Sequence, residues 1–340
     1  MTHLSRRTAL HLMAAGILGV ATSGRAARAQ DLKPVKVALD WTPNTNHVGL
    51  FVAREKGFYD KAGLDVEILP FTDTSAVTLV NSGLAQFGVG GVGFYSQRAA
   101  GAAIKAVFAV VQHETGRVVF KAEREDIQRP RDLDGKTYGG FGSAWENALI
   151  GSMIRHDGGK GEFETVTLGT SAYQALANGA VDFTLEVETW EGVQAKLAGD
   201  RQRAFRYADY GVPDQHTAML VGSEEFLDAQ PETARVFLAA TQAGYAFAAD
   251  NPKEAAGLLV AANPDALPNR ELAEASMQAL VDGRYLRGET GAVGVLDLGK
   301  IAAIGEYLFL NKILKDAGGK ALETRPDFAL YATNDFLPEG

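Results

Sequence analysis

Two short strings carry the side chains best suited to gripping a small molecule. The first is Trp41-Thr42-Pro43-Asn44-Thr45-Asn46-His47. An indole such as Trp41 can stack on a flat heteroaromatic ring, a contact worth about 1–3 kcal/mol per ring. Of Asn44 and Asn46, one is needed to cap the helix that follows, and the other can offer its amide edge to a ligand. His47 reads equally as a hydrogen-bond donor to ligand or as a structural support. The second string is Glu186-Val187-Glu188-Thr189-Trp190-Glu191-Gly192. Three carboxylates this close repel an anion and suit a guest that brings amino groups. A bland reading stands beside it, because a helix dipole also favours acids at a helix start. Glu188, Trp190 and Glu191 are taken as ligand contacts, with Gln112, Ser143 and Tyr173 as supporting ones. Ser143 reads as a helix cap as well, and Tyr210 is a weaker candidate.

Other chemistry is not indicated. The run from Gly88 to Gly93 lacks the spacing of a phosphate-binding loop and reads as a strand-to-helix turn. No nucleophile elbow or His-Glu-x-x-His helix occurs, and His47, His113, His156 and His216 have no metal-ligand spacing. No cofactor, metal or catalytic set is expected.

The elements around these strings repeat. Lys36 to Trp41 parallels Lys136 to Phe141, Leu64 to Leu69 parallels Phe163 to Leu168, and Asn81 to Gly88 parallels Ala177 to Thr184, at offsets of about 96–100 residues. Each half reads strand, helix, strand, helix, strand, as α/β lobes with parallel sheets do. Both strings then follow the carboxyl end of a strand, where open α/β sheets bind ligands. The expected lobes are 34–118 with 217–310, and 119–216, joined by two hinge strands near 116–121 and 215–221. An apolar stripe over 234–249 predicts a core helix; 311–340 reads as a C-terminal tail, of which the part after Gly318 is expected to wrap the surface.

Residues 1–29 read as an export signal: Arg6 and Arg7, an apolar stretch from Leu10 to Val20, and Ala27-Arg28-Ala29 before the cleavage point. Ser5-Arg6-Arg7-Thr8-Ala9-Leu10 suggests the twin-arginine route, with Ala9 in place of the usual phenylalanine. The signal removes four arginines and no acid, leaving 29 basic against 42 acidic residues, a net charge of −13. That balance argues against nucleic acid and anionic membranes as partners. The chain has no cysteine, so disulfides, thiolate sites and a lipid-bearing cysteine are all excluded. An exported chain without an anchor is expected in the periplasm, as a monomer.

The first string, followed by Lys56-Gly57-Phe58-Tyr59 and Gly63-Leu64-Asp65-Val66, resembles the thiamine-precursor pyrimidine-binding proteins of ABC importers. The resemblance extends over about residues 35–309 and reaches a wider group with thiamine pyrimidine synthases and nitrate, sulfonate and taurine binders. It implies a two-lobed, type II-like periplasmic binding protein that closes on an aminopyrimidine and delivers it to a membrane permease. Trp190-Glu191-Gly192 is similar to an aromatic–acid–glycine element of the pyrimidine binders. The ring is expected between Trp41 and Trp190. Alternatives are a different small ligand on the same scaffold, or a synthase that consumes one of its own histidines. The synthases carry a cysteine-rich motif that this chain cannot supply.

Overall fold

The computed structural model describes residues 32–289 and 291–338, so the export signal read in 1–29 lies outside the described residues. Ten strands occur among them: β1 (Lys33–Ala38), β2 (Leu64–Leu69), β3 (Phe87–Gly90), β4 (Ile104–Ala109), β5 (Gly116–Lys121), β6 (Thr137–Gly140), β7 (Glu164–Thr167), β8 (Phe183–Val187), β9 (Gln202–Arg206) and β10 (Met219–Ser223). They form two five-stranded sheets, ordered β2-β1-β3-β10-β4 and β7-β6-β8-β5-β9. β1, β2 and β3 hold the same places as β6, β7 and β8, as the sequence duplication requires.

Each sheet is mixed, where the sequence pattern suggested purely parallel ones. β1 is parallel to β2 and β3, and β6 to β7 and β8. β10 runs antiparallel to β3 and β4, and β5 antiparallel to β8 and β9. The cause is topological. β5 and β10 are the first strands after each passage between sheets, so both enter at the carboxyl ends of their new neighbours and must run backwards. The passages are residues 110–115 and 207–218. Residues 116–121, read as a crossing, are β5 itself, and the first sheet reaches only Ala109 before the chain leaves it.

Alternate residues of the first sheet feed two cores, as the pleat dictates. Val35, Val37, Phe87, Val89 and Leu220 join one buried cluster; Ala38, Ala106, Met219 and Val221 join the other. A sheet buried on both faces needs helices on both sides. One cover is the helix Pro231–Asp250, whose Phe237 stacks on Phe87 with ring centres 4.3 Å apart. This helix also packs on the helix Val48–Glu55, which follows the first string. The approach is close enough to demand glycine. A Cβ at Gly49 would fall 2.1 Å from the Tyr245 ring, and one at Gly244 would fall 2.2 Å from the Gly49 carbonyl oxygen. Tyr245 then donates its hydroxyl to the Asn46 carbonyl at 2.6 Å, fixing the turn that carries the first string.

Residues beyond 310 do more than cover the surface. Phe328 and Tyr331 are buried beside Phe94 and Tyr95, and Ala332 bridges Ala106 on β4.

Candidate ligand-binding site

The carboxyl ends of β1, β3, β6, β7 and β8 and the starts of β5 and β10 converge on a cavity of about 300 Å³. All three tryptophans of the chain, Trp41, Trp145 and Trp190, line it.

From the first sheet come Asp40, Trp41, Asn44 and Asn46. Asn44 caps the short 3-10 turn Thr45–His47: its side-chain oxygen accepts from the Asn46 amide at 2.9 Å. The capping role therefore falls to Asn44, and Asn46 keeps its side chain free of intramolecular hydrogen bonds among the described residues. His47 does not reach the cavity. It is 0% exposed, accepts from the Asn44 amide through Nδ1 at 3.3 Å, and meets Asp40 Oδ1 through Nε2 at 2.8 Å. With Nδ1 as acceptor, the ring carries its proton on Nε2 and donates to Asp40. His47 is thus a support that aims Asp40 at the cavity. The Trp41 ring touches Phe71 at 5.4 Å and, from the other sheet, Phe141 at 5.7 Å.

From the second sheet, the loop after β6 supplies Phe141, Trp145 and Glu146. Ser143 begins the helix Ala144–His156 and accepts from the Glu146 amide at 3.2 Å, while Glu146 accepts from the Ser143 amide at 2.8 Å. In such a capping box the hydroxyl is already engaged. Ser143 stands outside the cavity lining, and Glu146 is within it. Tyr173, in the helix Ala172–Ala177, lines the cavity as expected.

The acid string divides. Glu186 on β8 is 4% exposed, lines the cavity, and accepts from Arg117 Nε on β5 at 2.7 Å. Glu188 lies one residue past the strand and turns away, paired with Arg117 at 3.4 Å and Arg206 at 3.2 Å. Trp190 lines the cavity but is only 9% exposed and packs into the core of the first sheet. Behind it, Ser276 donates to the Thr189 carbonyl and meets Thr45 Oγ1 at 2.6 Å, tying both strings together. Trp41 and Trp190 make no ring contact with each other among the described residues; both face the same cavity.

Glu191 opens the helix Glu191–Ala198, lines the cavity, and reaches back to the Val187 amide at 3.1 Å. Burial, with Glu186 nearby acting in the same direction, raises its carboxyl from 4.5 to about 7. A raised carboxyl stabilises the folded state fully below its unfolded pKa, and that stability is lost as pH rises through the folded one. Glu191→Gln is therefore expected to be more stable than the native protein at pH 8, by about 3 kcal/mol at most. The difference should vanish near pH 4. Denaturant titrations at both pH values check this, and equal stabilities at pH 8 would contradict it.

The passages between the sheets add Glu114, Gln215 and Thr217. Glu114 accepts from the Gly116 amide at 2.5 Å, from Thr217 at 3.1 Å and from Gln215, so one carboxyl clasps both passages. Burial raises its pKa. Gln112, expected to face the cavity, is buried outside it, with its backbone held by Tyr285 and Lys300.

The cavity thus gathers Trp41, Asn44, Tyr173, Trp190 and Glu191 of the expected residues, and leaves out His47, Gln112, Ser143 and Glu188. It also gathers Asn46 and Glu186 from the two strings, and adds Asp40, Glu114, Phe141, Trp145 and Glu146, together with Tyr138 and Tyr207. Five of the lining residues are carboxylic, and no Lys, Arg or His is among them. Tyr210 lies three residues from Tyr207 on the turn after β9 and is not in the wall.

A family model described as NMT1/THI5 like matches residues 44–255. A formylaminopyrimidine-binding protein of Halalkalibacterium halodurans is 29% identical over 255 residues, which cover 73% of this chain and 76% of the relative. A 4-amino-5-hydroxymethyl-2-methylpyrimidine phosphate synthase of Saccharomyces cerevisiae is 28% identical over 233 residues, covering 64% of this chain and 67% of the relative. Among solved structures, the alkanesulfonate-binding protein SsuA from Xanthomonas axonopodis pv. citri, bound to MOPS, matches 90% of this chain and 98% of its own, with a TM-score of 0.65 at 14% identity. That likeness establishes the fold alone, the two-lobed α/β architecture of binding proteins of this type.

Proposed function

Because the chain belongs to the NMT1/THI5-like family, we propose that it is the periplasmic solute-binding component of an ABC importer and captures a thiamine-related aminopyrimidine for a membrane permease. The observation that carries the reading is the cavity wall: three indoles, five carboxylic side chains and no cationic residue. A sulfonate or nitrate would meet like charge in a partly dry site, which is costly. An aminopyrimidine suits the same wall. Its ring stacks on indole faces, and its exocyclic amine donates to carboxylate oxygens.

Glu191, with a pKa near 7, can present either a carboxylate or a carboxylic acid. An acid can donate to a ring nitrogen while accepting from the neighbouring amine. Binding is read as closure of two lobes about the passages 110–115 and 207–218, with Glu114 linking ligand to hinge. Contacts available only with both lobes in place hold the closed form. The sheet of β1–β4 with β10 and the sheet of β5–β9 are offered as the cores of those lobes.

The yeast relative supports a second reading, a pyrimidine phosphate synthase. A phosphate ester would need cationic donors that this wall does not offer, and His47, a candidate for the consumed histidine, is fully buried outside the cavity. A thermal-shift screen of aminopyrimidines, thiamine, flavins, nitrate and sulfonates separates the ligand classes. Stabilisation by aminopyrimidines is expected; stabilisation by the anions alone would reject the assignment. Incubation with iron and pyridoxal phosphate should leave every histidine at its native mass, and a modified histidine would establish the synthase.

A further inference from the structure

The two strings meet at a second place, away from the ligand cavity. The helix Arg270–Asp282 belongs to the body of the first sheet, since its Leu272, Ala273, Met277 and Leu280 share one buried cluster with Val35, Val37 and Phe87. The same helix packs on the turn Thr45–His47 and on the helix Glu191–Ala198, which runs between β8 and β9 of the second sheet. Ser276 lies at that junction. Thr45, Thr189 and Ser276 are all buried, and none of them lines the cavity.

The direction of their hydrogen bonds follows from the groups involved. A carbonyl oxygen only accepts, so the Ser276 proton goes to the Thr189 carbonyl, and the Ser276 oxygen accepts from the Thr45 hydroxyl. One serine hydroxyl therefore joins the second string to the body of the first sheet. At Thr189 a second feature opposes it. The Thr189 hydroxyl is buried without a hydrogen-bond partner among the described residues. Such a group has lost water and gained nothing, so it destabilises whichever arrangement buries it. Thr189 stands on the loop that leaves β8, and so it travels with the second sheet. Parting the bodies of the two sheets would draw Thr189 off Ser276 and return its hydroxyl to water. Trp190 follows directly and lines the cavity, so seating this loop also places an indole in the wall.

We propose that Ser276 and Thr189 are opposed positioning residues that set ligand affinity without touching the ligand. The Ser276 bridge holds the Trp190 loop against the turn that carries Trp41 in the closed form, and the stranded Thr189 hydroxyl drives the empty protein open. The inference rests on the closure of two lobes and on no particular ligand. Affinity follows because a binding-competent state that is rarely populated weakens the observed binding in proportion.

The test compares two variants that each remove one hydroxyl, by titration and stopped-flow fluorescence with 4-amino-5-hydroxymethyl-2-methylpyrimidine. Thr189→Val should tighten binding ~5-fold or more through slower release, and raise the melting temperature. Ser276→Ala should weaken binding ~5-fold or more, with faster release. A higher melting temperature for Thr189→Val with unchanged affinity would mean that the hydroxyl is equally buried in the empty protein, and overturns the proposal. Unchanged affinity in Ser276→Ala overturns it too. A ligand-independent check uses the absence of cysteine from the chain. In the empty, folded protein the thiol of Ser276→Cys should react with a thiol reagent within ~10-fold of its rate in urea. A thiol that stays protected shows that the contact does not part, and overturns the proposal whether or not the pyrimidine binds. Failure of the native protein to bind the pyrimidine removes the ligand reading alone, and the thiol rate then decides the proposal.

Discussion

Trp41→Ala is expected to weaken aminopyrimidine binding by roughly 10- to 100-fold, the range that loss of one stacked ring produces. The indole lies at the end of β1 in a partly exposed position, against Phe71 and Phe141, which are 38% and 48% exposed. Little core packing depends on it, so stability should change by less than about 1 kcal/mol. Trp41→Phe should recover part of the affinity because a smaller aromatic face remains. Titration calorimetry on the three proteins decides. If alanine binds as tightly as tryptophan, the ring of the ligand is held by other residues. Phe141 would then be the first suspect, since it meets Trp41 from the opposite sheet.

The largest stability effect is expected from Arg117→Ala. Arg117 and Glu186 are register partners across β5 and β8, with Nε and Nη2 at 2.7 and 2.5 Å from the same carboxylate oxygen. The Glu186 side chain is 1% exposed. Removing one partner leaves a buried charge uncompensated, which costs about 3–5 kcal/mol. Burial already raises the Glu186 pKa, and Arg117 acts against that rise. Without the arginine the pKa climbs further. The deficit should therefore be greatest at pH 8 and shrink as acid protonates Glu186. Urea unfolding at pH 8 and pH 5 measures it. A deficit that does not change with pH would mean that lost packing of the arginine, not the stranded carboxylate, dominates.

Much of the fold was legible because duplication and strand-end punctuation are local properties. Gly83 and Gly179 both adopt positive φ where a helix gives way to a strand, as their places in the repeat implied. The direction of β5 and β10 was hidden, because it follows from which sheet the chain is entering and not from the residues themselves. The site was legible as strings and blurred within them. Glu186, Glu188 and Glu191 look alike in sequence. Which of them faces the cavity depends on β8 ending at Val187, so that Glu188 begins a turn. Ser143 and Asn44 have oxygens that suit a ligand, but helix starts claim them first. Gln112 reads as the end of a strand that points toward the cleft; the strand ends at Ala109, bends follow at residues 110–113, and Glu114 reaches the wall instead. Phe141 and Trp145 flank Ser143 in the loop after β6; the serine hydroxyl is the more obvious ligand group in sequence, but the rings form the wall.

All three tryptophans line the cavity, so tryptophan emission, excited selectively over that of the ten tyrosines, comes from its wall. Titrating the protein at pH 7 with a 4-aminopyrimidine should change the emission saturably, with a midpoint in the micromolar range or below, corresponding to about 8 kcal/mol. Methanesulfonate and nitrate at millimolar concentration should leave it unchanged. A saturable response to either anion, with none to the aminopyrimidine, would contradict a site built for a flat amine-bearing ring.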